Sequence, residues 1–316
     1  MDNSTDRFVF TNYDNGVGNS GFGQAHGPHV DLRPTLPSST PQVFGVDLSS
    51  TIYASDVAIT SGPKVNGGPG GGNGGGGGGG GTGGGSYGDF TSAIAGSSYN
   101  ITIHFNGSNW TVAEHQAFVD AANRISSLIT GDLPNVTIFG MKGGPQVVDD
   151  ITFTAELKTI DGVGGILGQT GPTSIRTVGS LPATATMQFD SADAQHYVDS
   201  GQFSVIVLHE MLHGVGFGSV WSYLGLTSGS TFIGAHAEAE YATLISAANP
   251  TPVPLETGGG SGTAGSHWSE ALFDHELMTG YIDALPDPLS RMTVASLQDL
   301  GYTVNYAGPI DGYVLG

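Results

Sequence analysis

The sequence predicts an α+β fold, and two periodicities support this class. Residues 100–105 alternate between apolar and polar side chains, which is typical of a strand. After Thr111 the apolar residues recur at spacings of three and four, as on one face of a helix. Because helices alternate with a cluster of strands over about 230 residues, an α+β or α/β domain is favoured over a sandwich or a bundle.

Local signals give the bounds of the main elements. Thr111 followed by Glu114 forms a capping box, so the first helix is predicted to begin there. It is predicted to end near Gly131, since Pro134 prevents it from continuing. Further strands are predicted at 136–139, at 151–157 and through Ile166, and further helices at 201–213, at 236–247 and from Ser290 to Gly301.

A glycine-rich stretch divides the chain. Residues 67–85 contain 16 glycines in 19 positions, a composition typical of a flexible linker. We therefore predict a flexible leader or prosegment at 1–66, the linker at 67–85 and one large domain at 86–316. The leader contains two short strand-like runs, at 43–48 and 51–59.

Composition excludes several classes of protein. The formal net charge is −20, which disfavours nucleic acid as a partner. With no cysteine in the chain, disulfides, thiolate catalysis and cysteine-bound zinc are impossible, so any metal must be held by histidines and carboxylates. No apolar run reaches the roughly 18–20 residues of a transmembrane segment.

The expected location is extracellular. The first residues lack the cationic and apolar regions of a cleavable signal peptide. An acidic, glycine-rich chain without cysteine is nevertheless typical of bacterial proteins exported in one step. We therefore expect a secreted monomer without a cleavable N-terminal signal.

The sequence contains a candidate metal-binding motif, HEMLH, at 209–213. On a helix, His209 and His213 lie four residues apart on the same face and can bind one ion, while Glu210 can reach a water on that ion. The apolar residues 205–208 just before this pattern predict a buried helix, and buried imidazoles need partners. A metal ion would be that partner, and Gly214 with Gly216 would end the helix beneath it.

A third protein ligand is still needed. His267 and His275 both lie downstream, in the stretch GSHWSEALFDHELMTGY. From the spacing alone, either histidine could complete a tetrahedral zinc site that keeps one open position.

Together, HEMLHGVGFG and the later HW and ELMTG resemble the leishmanolysin-type metzincin zinc metalloproteases, in their bacterial form. The stretches DGVGGILGQTGP, LPATATMQFDSAD and SRMTVASLQDLGYTVNY are similar to that family too, so the resemblance spans roughly residues 98–306. It implies a domain with a twisted sheet and long helices in an N-terminal subdomain, followed by a mostly irregular and helical C-terminal subdomain.

The resemblance also implies site residues. His267 would be the third zinc ligand, and Met278 would form the apolar floor of a Met-turn. Glu210 would activate a zinc-bound water to hydrolyse peptide bonds of protein or peptide substrates. An edge strand comprising Gly164, Gly165, Ile166, Leu167 and Gly168 would pair with an extended substrate.

This sequence differs from the family at two points: it has no prosegment cysteine to keep the enzyme inactive, and a tyrosine near the Met-turn has a different spacing. Without cysteine, a prosegment thiol cannot cap the zinc, which leaves a leader carboxylate (Asp31, Asp47 or Asp56) as a candidate cap. Tyr281 follows Met278 by three residues rather than two, so we assign it no metal role.

Three other interpretations remain open. The chain could be a secreted, zinc-stabilised binding or adhesion module without turnover, or the leader could anchor the domain to a surface.

Asp190 and Asp193 are expected to cap the turn before the zinc helix, and their carboxylates also allow a structural Ca²⁺.

Overall fold

The computed structural model describes residues 43–44, 50–54, 84–139, 144–164, 166–260, 262–283 and 285–315. All of them belong to one compact unit, Pro41–Gly316. Most of the predicted linker, residues 67–83, lies outside the described residues, as do Asp31, Asp47 and Asp56. The predicted domain bounds at 66 and 85 therefore remain predictions.

Helices and short strands alternate along the chain. The helices are α1 (Val112–Leu128), α2 (Ala194–Ser200), α3 (Phe203–Gly214), α4 (Ala235–Leu244), α5 (Glu270–Phe273) and α6 (Arg291–Leu300). The strands are β1 (Val43–Phe44), β2 (Ser50–Ala54), β3 (Phe90–Thr91), β4 (Ile101–Asn106), β5 (Val136–Ile138), β6 (Gln146–Val148), β7 (Ile151–Lys158), β8 (Ile166–Arg176), β9 (Pro182–Asp190), β10 (Thr227–Ser228), β11 (Thr231–Phe232), β12 (Val253–Pro254) and β13 (Tyr281–Ile282).

The main sheet is mixed, and its strand order is β13-β2-β8-β9-β7-β4-β3, with β1 also paired to β8. Strands β4, β7 and β9 run parallel, whereas β8 is antiparallel to β9. Strand β2 is antiparallel to β8, and β13 is parallel to β2. Two of these strands, β1 and β2, come from the leader, close to the two runs in which the sequence predicts strands.

Helix α1 begins as predicted. The backbone N–H of Glu114 donates to Thr111 Oγ1 (3.2 Å), and the backbone N–H of Thr111 donates to Glu114 Oε2 (2.7 Å), which completes the capping box. The helix ends at Leu128, three residues before the predicted end at Gly131. It packs against α3 and β4.

Edge-to-face aromatic contacts lock α1 onto the sheet. The ring of Phe118 in α1 lies 5.3 Å from that of Trp110 and 5.4 Å from that of Phe189 in β9. The Phe189 ring in turn lies 5.5 Å from that of Phe203, the first residue of α3. Such pairs contribute about 0.5–1.5 kcal/mol each beyond their buried area. The aromatic cluster therefore fixes where α3 starts.

The sequence patterns overlooked two elements of this region. Strand β9 is buried at seven of its nine positions, because it lies between β7 and β8 and packs against α3. A strand covered on both faces loses the polar–apolar alternation. Helix α2 is short and was also not predicted. The predicted strand at 136–139 exists as β5, but it pairs with β6 in a separate two-stranded sheet.

The part that follows α3 is mainly helical and irregular. A small sheet of β10, β11 and β12 lies between α3 and α5 in the chain, and α4 packs against α6. Helix α6 begins at the N-cap Ser290 and ends at Gly301, in the left-handed conformation, as the sequence predicted. Among the described residues, no helix has the length and apolar character that crossing a bilayer requires.

Candidate metal centre and active site

Helix α3 carries the HEMLH residues and lies against the sheet. It packs on β8 and β9, and all of its residues from Ile206 to Gly214 are buried. A Cβ on Gly214 would stand 2.1 Å from Cε1 of Phe153 in β7. Any side chain at this position would push the helix away from the sheet. Gly214 therefore allows the end of α3, which carries His213, to lie close to β7.

Three histidine side chains converge at the C-terminal part of α3. The Nε2 atoms of His209 and His213 are 2.9 Å apart, and that of His267 lies 3.1 Å from the first and 2.9 Å from the second. All three residues are at most 1 % exposed. The structure thus brings His267 to the pair on the helix, across 54 residues of chain.

The loop after α3 shapes the place for the third histidine. Gly218 has a φ of +68°, and a Cβ there would lie 2.1 Å from the carbonyl oxygen of Ser266. Its neighbour His267 is followed by Trp268, which is fully buried and donates from Nε1 to Thr293 Oγ1 (2.8 Å). The Trp268 ring also meets the ring of Phe217 edge to face, at 5.1 Å. Close backbone approach and the tryptophan together hold His267 in place.

Backbone carbonyls orient each imidazole. Nδ1 of His209 donates to Leu277 O (2.7 Å), that of His213 to Phe217 O (2.9 Å), and that of His267 to Thr263 O (3.1 Å). A carbonyl oxygen only accepts, so each Nδ1 carries the hydrogen and each neutral ring presents a lone pair at Nε2. Three lone pairs therefore point to one small region.

The surroundings keep these rings neutral. Burial is the largest cause, and repulsion from His267 adds to it, so the pKa of His209 falls to about 3. Burial likewise lowers the pKa of His267 to about 4 and moves that of His213 well below its usual range. Neutral imidazole is the form that ligates a metal ion.

This donor set fits a zinc ion. Catalytic zinc sites use three protein ligands and keep a fourth position open, with Zn–N bonds of about 2.0–2.1 Å. Nitrogen atoms near 3 Å apart, each fixed by a second hydrogen bond, match that arrangement. His209, His213 and His267 form a group that could hold a metal ion.

Glu210 lies beside the triad and against strand β8. Its side chain is fully buried, and a Cβ on Gly168 would lie 3.2 Å from Glu210 Oε1. Only a residue without a side chain leaves the carboxylate this close to the backbone of β8. Glu210 is thus placed between the three histidines and the strand that was predicted to bind substrate.

The turn that contains Met278 is tied to the triad and to α6. Met278 is fully buried, and the residue before it supplies the carbonyl that orients His209. Glu276, for which no sequence pattern predicts a role, accepts hydrogen bonds from the backbone N–H of Met278 (2.6 Å) and from Ser290 Oγ (2.6 Å). Burial raises the pKa of Glu276, and these donors oppose that effect. Its only sequence signal is its place in ELM, directly before the methionine.

The predicted substrate strand is part of β8, but it is not at the edge of the sheet. Ile166, Leu167 and Gly168 open β8, and Gly164 lies in the preceding loop with a φ of +78°. Gly165 lies outside the described residues. Because β2 covers the side of β8 that faces away from β9, this stretch already has a strand on both sides. Its role toward substrate remains a prediction.

Two aspartates hold the loop that leads into β8. Asp190 Oδ2 accepts from the backbone N–H groups of residues 160, 161 and 162, and Asp193 Oδ1 accepts from that of Gly164 (2.9 Å). Burial alone would raise the pKa of Asp190, but the backbone donors lower it. These contacts hold the loop that precedes β8. Asp190 Oδ1 also accepts from the backbone N–H of Ala192 (2.8 Å), so Asp190 caps the turn that precedes α2 and α3, as the sequence predicts. None of these contacts supports a structural Ca²⁺.

His275, the other candidate for third ligand, lies outside the triad. Its Nδ1 is 3.3 Å from Asp274 Oδ2, and its ring is 5.6 Å from that of Tyr313. The structure therefore brings His267, and not His275, to His209 and His213.

A helix with HExxH, a distant third histidine and a buried glutamate are the groups that a zinc metallopeptidase centre requires. The comparison with protein families agrees, since residues 177–309 match the model described as leishmanolysin. This part of the chain is therefore leishmanolysin-like, and it contains the three histidines, Glu210 and Met278. No curated protein matches the chain.

Proposed function

We propose that the protein is a zinc-dependent endopeptidase that hydrolyses peptide bonds of proteins. The observation that carries this proposal is the convergence of three neutral Nε2 atoms next to a buried Glu210. His209, His213 and His267 would hold the ion. A bound zinc ion would supply a Lewis acid that polarises the substrate carbonyl and lowers the pKa of water toward about 7.

The carboxylate of Glu210 has the position of a general base. It would take a proton from the attacking water and then deliver it to the departing amine, which restores the carboxylate. Its fully buried position excludes competing solvent from this transfer. General acid–base catalysis of this kind contributes about 10²–10⁴-fold to the rate.

We propose that an extended peptide pairs with the start of β8. Gly168 lets the backbone of that strand lie against Glu210, so a peptide hydrogen-bonded to Ile166–Gly168 would have its own backbone next to the base. Met278, buried next to the carbonyl that orients His209, would serve as the floor of the site.

The decisive experiment measures casein hydrolysis and bound zinc in the same preparations. The wild type should cleave casein, a chelator should abolish the cleavage, and added zinc should restore it. Glu210→Ala should keep stoichiometric zinc and lose the activity by about 10²-fold or more, whereas Glu238→Ala in α4 should behave as wild type.

Two results would contradict the proposal. Bound zinc without any cleavage by the wild type would indicate the non-catalytic binding module, and full activity of Glu210→Ala would show that Glu210 is not the general base.

We also propose that the protein is exported, because its composition is acidic and lacks cysteine. Its recovery from the medium of the native producing cells would test this.

A further inference from the structure

Strand β2, from the leader, fills a slot between two strands of the metal-binding region. On one side it is antiparallel to β8, with Thr51 opposite Gln169 and Ile52 opposite Gly168. On the other side it is parallel to β13, with Tyr53 opposite Tyr281. Residues Ser50 to Tyr53 pair with β8, and Tyr53 and Ala54 pair with β13, so the strand as a whole has a neighbour on each side.

The register places β2 at the catalytic glutamate. Ile52 pairs with Gly168, and Gly168 is the residue whose Cβ would lie 3.2 Å from Glu210 Oε1. Strand β2 also packs against α3, the helix that carries this glutamate. Its other partner, β13, begins at Tyr281, three residues after Met278.

The backbone N–H and C=O groups of β8 that pair with β2 are the groups that, in the proposed function, bind the substrate peptide. Without β2, the start of β8 and the strand β13 would each present an unpaired edge, and the two edges would face each other. One extended chain fits between them, so β2 and a substrate peptide exclude one another.

We propose that Ser50–Ala54 is an autoinhibitory strand that occupies the peptide-binding slot between β8 and β13. This inference rests on the proposed function of the site. It states that the peptide-binding slot is occupied by a segment of the same chain. The inhibition needs no side chain on the metal, which suits a chain without cysteine. As a tethered segment, the strand competes at an effective concentration on the order of millimolar.

The test uses the full chain, loaded with zinc, and a double substitution in β2. Thr51 and Ile52 both pair with β8, and successive N–H groups of a strand point to opposite sides, so Thr51→Pro with Ile52→Pro removes a donor toward β8 whichever of the two residues supplies it. Ser38→Pro with Ser39→Pro is the matched control, because it places two prolines in the leader outside β1 and β2.

The first measurement does not depend on catalysis. A fluorescent peptide with the sequence of residues 48–56 is titrated into each protein in the Glu210→Ala background. It should bind the β2 variant at least about 10-fold more tightly than the wild type or the control, because only the variant has an open slot. Equal binding to all three proteins, or binding to none, would overturn the proposal.

The second measurement is kcat/KM on casein-derived peptides in the Glu210 background. The β2 variant should exceed wild type and control at least about 10-fold. Equal activity of all three would overturn the inhibition while leaving the endopeptidase intact. Selective peptide binding without any hydrolysis would instead contradict the catalytic assignment and leave the occupied slot in place.

Discussion

The carbonyl oxygen of Leu277 accepts a hydrogen bond of 2.7 Å from Nδ1 of His209. This contact joins the turn of Met278 to the first histidine of the triad, across 68 residues of sequence. The orientation of a metal ligand on α3 therefore depends on the conformation of a turn that lies far downstream.

We expect His267→Ala to bind zinc at least about 100-fold more weakly than wild type, because it removes a ligand from the ion itself. His275→Ala should retain wild-type affinity, since that ring lies beside Asp274 rather than at the triad. Zinc release to a chromogenic chelator would measure both. The reverse order of affinities would move the third ligand to His275.

Removal of the carboxylate at Glu276 should disturb both the turn and the site. Glu276→Ala leaves buried donors on Met278, Ser290 and Thr293 without their acceptor, which costs about 1–3 kcal/mol for each such group. Denaturant unfolding of the zinc-free protein measures the loss of stability. Zinc titration measures the effect on His209, whose partner carbonyl belongs to Leu277.

A conservative variant separates the two effects. Glu276→Gln keeps one acceptor oxygen and the side-chain volume, so it should lose less stability than Glu276→Ala. If Glu276→Ala unfolds at the wild-type denaturant concentration, the glutamate does not anchor the turn.

Substitution of Gly214 should loosen the contact between α3 and the sheet. A Cβ at this position would overlap the ring of Phe153, and overpacking of a core typically costs about 1–3 kcal/mol. Gly214→Ala should therefore unfold at lower denaturant, and Gly214→Ala with Phe153→Leu should recover part of the loss. Gly312→Ala is the control, because a Cβ there meets nothing within 4 Å.

The carboxyl of Asp287 should make stability fall as pH rises. Burial, and then the charge of Asp283, raise its pKa from 3.8 to about 7. Between about pH 4 and 7 the folded protein keeps a proton that the unfolded chain releases, so folding weakens through this window. Below about pH 4 the group is protonated in both states and costs nothing.

Asp287→Asn removes this dependence, so its stability relative to wild type should grow with pH. Discounted for the partial exposure of the side chain, the difference should reach about 1–2 kcal/mol at pH 8 and vanish near pH 4. Urea unfolding of both zinc-free proteins at four pH values provides the comparison, and the titration of the triad cancels in the difference. A constant difference across the range would show that Asp287 titrates normally.

Local sequence signals predicted the elements that depend on local interactions. The capping box at Thr111 and the cap residues Ser290 and Gly301 are confirmed because they act within a few residues. His209 and His213 share a helix face, so their meeting follows from helix geometry. His267 required the resemblance, since its position depends on the loop that Gly218 brings against Ser266.

The long-range pairings could not be derived from the sequence. The slot of β2 involves β13, a two-residue strand without a pattern of its own, and their pairing joins Tyr53 to Tyr281. Strand β9 was overlooked because burial on both faces removes the period of two. Glu276 resembled any acidic residue of a turn, and only its donors reveal its role.

All three imidazoles rest on main-chain carbonyls, of Phe217, Thr263 and Leu277, and this has a consequence for folding as a whole. An ion held by those rings would connect α3 to the stretch that contains His267, 54 residues further along, in a chain that has no cysteine to form a disulfide. Because the acceptors are backbone carbonyls, substitution of a neighbouring side chain does not remove these hydrogen bonds. A shift of the loop that carries one carbonyl would move its imidazole and so change the geometry of all three ligands. Binding of the ion would therefore stabilise the folded chain, and a change that loosens one of these loops would lower both the metal affinity and the stability of the metal-bound protein.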